Sequence, residues 1–140
     1  MTATKTPWHL WLIGILALLW NGFGAFDFTA SALRFEGYLA NFPEAMIAWL
    51  YATPLWMWVV WGIGTWGGLI GAILLLLRNK LAVWAFALSF IGATASQIVS
   101  VIEPPPGETG APAFLPWMII AISVALLGYT VWLSRRGVLR

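Results

Sequence analysis

The sequence predicts an all-α fold: an integral membrane bundle of four transmembrane helices plus a short interfacial helix. Three observations predict it. First, 61% of the 140 residues are hydrophobic and 9% are charged, against about 25% charged residues in an ordinary soluble domain. Seven basic and five acidic side chains cannot supply a soluble domain's polar surface, and disorder needs low hydrophobicity. Second, residues 6–26, 45–77, 81–102 and 109–134 carry no charge, in runs of 21, 33, 22 and 26 residues. A helix needs about 20 apolar residues to cross about 30 Å of hydrocarbon, so each run holds one span. Third, the basic residues gather where the ends of four antiparallel spans would share one side.

The elements follow in chain order, all within a single transmembrane domain covering residues 1–140. Thr6-Pro7 caps and starts the first span, about 8–33. The second run is too long for one crossing and too short for two. Proline is unfavourable inside a helix by about 3 kcal/mol but is welcome in its first turn. Thr53-Pro54 therefore starts the second span, about 54–77. Before it, Asn41-Phe42-Pro43-Glu44 reads as a capping box opening a short helix over about 43–52. Phe42, Met46, Trp49 and Leu50 lie on one side of that helix, which places it in the membrane interface. The alternative is one long kinked helix from 43 to 77. Arg78-Asn79-Lys80 is a tight turn into the third span, about 81–102. Four prolines and two glycines between Glu103 and Pro112 exclude a helix there. The fourth span covers about 114–134.

Charge placement orients these spans. Lys5, Arg78, Lys80, Arg135, Arg136 and Arg140 share one side, whereas Asp27, Glu36, Glu44, Glu103 and Glu108 fall at the other ends. The excess of Lys and Arg in short cytoplasmic loops then puts both termini in the cytoplasm, with Arg34 as the exception. Ala30-Ser31-Ala32 looks like a signal-peptide cleavage site, but the preceding apolar stretch exceeds the 7–15 residues of a signal core, so it is read as a span. The expected location is a bacterial inner membrane.

Chemistry is sparse. The chain has no cysteine, which excludes disulfides and thiolate chemistry. One histidine, His9 beside Trp8, reads as an interfacial anchor. No carboxylate pair, phosphate loop or metal spacing lies in the spans. No enzyme activity, metal, cofactor or nucleic-acid partner is expected; the expected partner is the lipid bilayer. Most of the eleven tryptophans suit the headgroup boundary. Trp20 and Trp66 lie about 18 Å along their helices, where an aromatic lines a cavity or fills space. Gly64, Gly67, Gly68 and Gly71 form two GxxxG pairs, which let helices approach closely, with a partner helix in this chain or another.

Intramembrane polar residues are costly and hence candidates for function. Asn21 lies about 20 Å along the first helix, with Thr65, Thr94 and Ser123 at similar depth on the others. They form either a solute-binding belt at the midplane or hydrogen bonds holding helices together. Asp27 is near the outer boundary. On a continuous helix it shares a face with Trp20 and Arg34. It is either a coupling carboxylate or an interfacial one paired with Arg34 or capped by Ser31. Gln97 can reach the same region.

The order of several motifs resembles a family of small four-helix bacterial inner-membrane proteins often labelled "sugar transporter". The residues are Leu19-Trp20-Asn21 with Gly22 and Gly24, Pro54-Leu55-Trp56, Trp66-Gly67-Gly68-Leu69-Ile70-Gly71, the run Leu74 to Leu77 ending in Arg78, and Ala82-Val83 with Phe86, Leu88 and Ser89. The likeness covers roughly residues 8–100 and implies four spans and solute transport; it assigns no binding residue. Small multidrug exporters also have four spans, but they place a glutamate deep in the first helix where this chain has Asn21, which argues against proton-coupled cation export.

Two functional classes follow. One is a small-solute, sugar-like transporter acting as a homo-oligomer, with Asn21, Trp20, Trp66 and Thr65 lining the path and Asp27 at its outer mouth. The other is an accessory or scaffold subunit of a larger membrane complex, docked through the 43–52 helix.

Overall fold

A computed structural model describes residues 5–107 and 111–140 of the protein. Glu108, expected among the acids of the outer loop, lies outside the described residues. The described chain is helical: α1 (Trp8–Ala32), α2 (Glu36–Leu39), α3 (Glu44–Tyr51), α4 (Leu55–Leu76), α5 (Leu81–Ile102) and α6 (Leu115–Arg135). Helices α1, α4, α5 and α6 are long and apolar enough to cross a membrane. The shortest has 21 residues, or about 32 Å at 1.5 Å per residue.

Prolines set the starts. Pro7, Pro43 and Pro54 sit in extended backbone immediately before α1, α3 and α4, and α3 and α4 are separate helices with Pro54 at the break. The capping side chains expected from the sequence do other things. Thr6 accepts a hydrogen bond from the Arg78 guanidinium. The Asn41 amide donates to the Tyr38 carbonyl at 3.1 Å, closing α2 rather than opening α3. The Thr53 hydroxyl donates back to the Trp49 carbonyl at 3.2 Å. With proline as the last non-helical residue, Thr6 and Thr53 are one position, and Asn41 two, too far from the first free N–H groups to cap them.

The ends of α1, α4 and α6 share one device. Arg34, Arg78 and Gly137 adopt left-handed backbone, with φ of 54°, 56° and 74°. In each case the following residue donates back to the third-last helical carbonyl: Phe35 to Ala30, Asn79 to Leu74 and Val138 to Leu133. This is the Schellman closure. Glycine adopts that conformation freely; at the other two ends arginine places a cation near a helix C-terminus, where the dipole favours it. Asn79 then caps α5, its side-chain oxygen accepting from the Leu81 N–H at 2.9 Å.

Helix α4 packs against both α1 and α5, and α5 against both α4 and α6. The α4–α5 crossing is close because neither helix has a side chain there. A Cβ on Gly92 would lie 2.6 Å from the Val60 carbonyl oxygen, and one on Gly64 would lie 2.8 Å from the Ala93 nitrogen. The Ser89 hydroxyl donates to the Gly64 carbonyl across this contact at 2.6 Å. Gly67 faces Ala85 and Ser89, and Gly71 faces the Phe86 ring. These glycines therefore seat α5 of the same chain.

The buried aliphatic core sits at the basic end. Leu10, Leu75 and Leu133 are fully buried there with Val138 and Leu139. The last residues fold over this end: Lys80 N–H donates to the Arg140 carbonyl at 2.8 Å, and Arg140 N–H to the Arg78 carbonyl at 2.7 Å. His9 Nδ1 and the Tyr129 hydroxyl, 2.6 Å apart, join α1 to α6 at the same end. Burying an aliphatic side chain is worth about 1.5–3 kcal/mol. Deleting residues 138–140 should lower the thermal midpoint in mild detergent by about 5–10 °C; an unchanged midpoint contradicts this seal.

Candidate functional site: a cavity at the acidic end

Toward the end that carries the acids, the helices border a half-open cavity of about 750 Å³. Helix α1 contributes Phe23, Asp27 and Ser31, at the four-residue spacing that keeps side chains on one face. Helix α3 contributes the apolar side expected from its sequence, Met46, Trp49 and Leu50, with Phe42 just before it. Met57, Trp58 and Trp61 come from α4, and Ser96, Gln97 and Ser100 from α5. Leu115 and Ile119 of α6, with Pro104, Pro105 and Pro112 of the loop before it, add to the wall.

The polar part is small and ordered. The Tyr38 hydroxyl donates to Asp27 Oδ1. Burial, followed by the Asp27 carboxylate itself, pushes the Tyr38 phenol above its ordinary value, so it stays a donor at neutral pH. The Phe26 and Phe42 rings meet Tyr38 edge-on, with centroids 5.3 and 5.2 Å away, which fixes the phenol over α1. Two of the three serine hydroxyls in the wall are occupied: Ser96 donates to the Ala93 carbonyl and Ser100 to the Ser96 carbonyl. Gln97 lines the cavity and makes no side-chain hydrogen bond to a described residue.

The five expected solute contacts are not gathered in one place. Asp27 alone lines the cavity. The pairing with Arg34 expected as one alternative is not formed, because α1 ends at Ala32 and the left-handed turn at Arg34 carries the chain away. The Arg34 guanidinium instead lies 4.2 Å above the centre of the Tyr51 ring, whose hydroxyl donates to the Ser31 carbonyl.

Asn21 sits between α1 and α4. Its amide donates to the Ala17 carbonyl at 2.8 Å, and its oxygen occupies the space above Gly68, 2.0 Å from where a Cβ would be. Thr65 bonds back to the Trp61 and Gly62 carbonyls, with its methyl toward Gly24. Trp66 is partly exposed on the outer face of α4, its indole N–H donating to the Thr29 hydroxyl at 3.0 Å. It borders a shallow apolar groove with Phe28, Gly62, Ala85 and Leu88. Trp20 is also exposed on the outer surface.

Tyr38 and Trp58 are among the cavity residues to which the sequence did not point. The α3 side facing the cavity was visible as a stripe, and Tyr38 lies eleven residues beyond Asp27, in the segment just before that stripe.

The Asn21–Gly68 contact gives a direct test of its structural character. Gly68→Ala should destabilise the bundle by about 1–3 kcal/mol, the usual range for overpacking. Adding Asn21→Ala should recover most of that loss. Unfolding of the single and double variants in detergent measures both, and additive losses would contradict the contact.

No family model, curated protein or solved structure matches the chain.

Proposed function

We propose that this protein is a membrane-embedded carrier that takes up a small solute through the cavity at its acidic end. The observation that supports this reading most is the asymmetry of the bundle. A cavity of about 750 Å³ lies at one end, within the range of about 300–1,000 Å³ typical of small-molecule sites. Leu10, Leu75, Leu133 and the tail residues Val138 and Leu139 fill the other end. Such an arrangement suits a carrier held open to one side. The positive-inside bias of Lys5, Arg78, Lys80, Arg135, Arg136 and Arg140 makes the open side the outer one, with both termini cytoplasmic.

One chain forms the cavity, so solute binding does not require a second copy. Asp27, Tyr38 and Gln97 make the polar contacts, and the surrounding aromatics bind the apolar part of the solute. Asn21, Thr65 and the glycine seam have the separate task of holding α1, α4 and α5 together.

Reconstitution tests this reading. Protein in sealed liposomes should accumulate a solute that protein-free liposomes do not. The same solute should quench the fluorescence of Trp49, Trp58 and Trp61. Quenching without uptake would reduce the protein to a binding subunit; neither quenching nor uptake, across neutral, cationic and anionic solutes, would overturn the proposal.

A further inference from the structure

We propose that the solute taken by this cavity is a hydrophobic organic cation, of the quaternary ammonium or phosphonium type. This rests on reading the cavity as a solute site. It goes further by assigning charge and character to the solute.

Among the described residues the cavity wall has one carboxyl side chain, Asp27, and no Lys, Arg or His. The nearby cation in sequence, Arg34, is held over the Tyr51 ring, which does not line the cavity. Among the described residues Asp27 therefore receives one neutral donor, the Tyr38 hydroxyl on Oδ1, and no positive partner. A carboxylate in an apolar setting is costly until a positive charge compensates it. A cationic solute supplies that charge at the remaining oxygen.

The rest of the wall suits the same occupant. Trp49, Trp58, Trp61 and Phe23 present aromatic rings, whose faces attract cations, most strongly when water is excluded. A sugar would need many fixed donors and acceptors in place of water. Here the Ser96 and Ser100 hydroxyls donate to backbone carbonyls of their own helix, which leaves the Gln97 amide and the Ser31 hydroxyl, too few for a sugar. An anion would meet Asp27 without a counter-charge. The carboxylate belongs to Asp27 rather than to the depth of Asn21, and so lies nearer the mouth than the site expected of an exporter.

The probe set is tetraphenylphosphonium, its anionic counterpart tetraphenylborate, and neutral triphenylphosphine oxide. Each is measured by equilibrium dialysis against the full chain in nanodiscs of zwitterionic lipid, with protein-free nanodiscs subtracted. Tetraphenylphosphonium should bind at least about tenfold more tightly than either of the others, an electrostatic and cation–π difference of ordinary size. Asp27→Asn should remove that preference. Met46→Lys, which adds a cation on α3 and leaves Asp27 intact, should weaken tetraphenylphosphonium binding to a similar degree, so the result does not hang on the folding of one variant. Equal or tighter binding of the neutral probe, or a preference that survives Asp27→Asn, overturns the cationic assignment and leaves the cavity as a neutral-solute site. If none of the three binds above background, the cationic assignment also falls. Uptake of a neutral solute that Ser100→Trp abolishes would then still support the cavity as the carrier site, and uptake unaffected by it would remove that reading too.

Discussion

Gly92→Val should leave little folded protein. A Cβ at this position would lie 2.6 Å from the Val60 carbonyl oxygen and 2.7 Å from the Gly64 nitrogen. Both are backbone atoms in the middle of α4, so no side-chain rotation relieves the overlap. The helices have to separate, which breaks the 2.6 Å hydrogen bond from Ser89 to the Gly64 carbonyl and opens the backbone-to-backbone crossing of α4 and α5. Overpacking against movable side chains costs about 1–3 kcal/mol, and a backbone-to-backbone overlap should reach or exceed the top of that range. Gly64→Val should behave alike, since its Cβ would lie 2.8 Å from the Ala93 nitrogen. Gly128→Ala is the matched control, because nothing lies within 4 Å of a Cβ there. Size-exclusion profile and thermal midpoint in mild detergent read all three. A Gly92→Val protein as monodisperse and heat-stable as the Gly128→Ala control would contradict the crossing.

Ser100→Trp should abolish solute uptake and leave the fold intact. Ser100 lines the cavity on the last turn of α5, and its hydroxyl bonds only within its own helix, to the Ser96 carbonyl at 3.0 Å. Losing that bond unties no helix from another. An indole at this position projects into the open volume, and its preference for the membrane boundary keeps it there. Uptake should fall at least about tenfold, the loss expected from filling a binding site rather than trimming it. Melting behaviour should change by no more than a few degrees. Full uptake with the indole in place would mean that the solute does not pass through this cavity.

The four long helices and their order were legible in the sequence because hydrocarbon imposes a simple requirement: about twenty uncharged residues, bounded by charge. Pro54 also marked the break between α3 and α4 correctly, since proline ends helical geometry wherever it falls outside a first turn. The caps were less legible. Thr6, Asn41 and Thr53 are all of the right type, yet each precedes a helix whose last non-helical residue is proline, and each bonds elsewhere. The four-residue α2 is too short to show any periodicity.

Depth alone does not place a side chain. Asn21, Thr65, Trp20 and Trp66 share a similar depth, but depth says nothing of the direction a side chain faces. Asn21 faces Gly68, and both tryptophans face outward. The glycine that admits Asn21 lies 47 positions away in the sequence, on a different helix, so no local pattern reveals the pairing. The cavity face of α1, by contrast, follows the four-residue spacing of Phe23, Asp27 and Ser31. Read together with the α3 stripe from Phe42 to Leu50, that spacing points to the acidic end rather than the midplane.

The acidic end of a single chain is expected to hold a solvent-reachable cavity. The natural absence of cysteine permits a clean test by introduced thiols. Gln97 faces the cavity, whereas its neighbour Ile98 is exposed on the outer surface of α5. Both lie at nearly the same depth. Thiols react through the thiolate, which forms in water and not in hydrocarbon. A membrane-impermeant, positively charged methanethiosulfonate reagent should therefore modify Gln97→Cys at least about tenfold faster than Ile98→Cys, and only when added to the face opposite the termini. Equal rates at the two positions, or modification of Gln97→Cys only from the side of the termini, would contradict it.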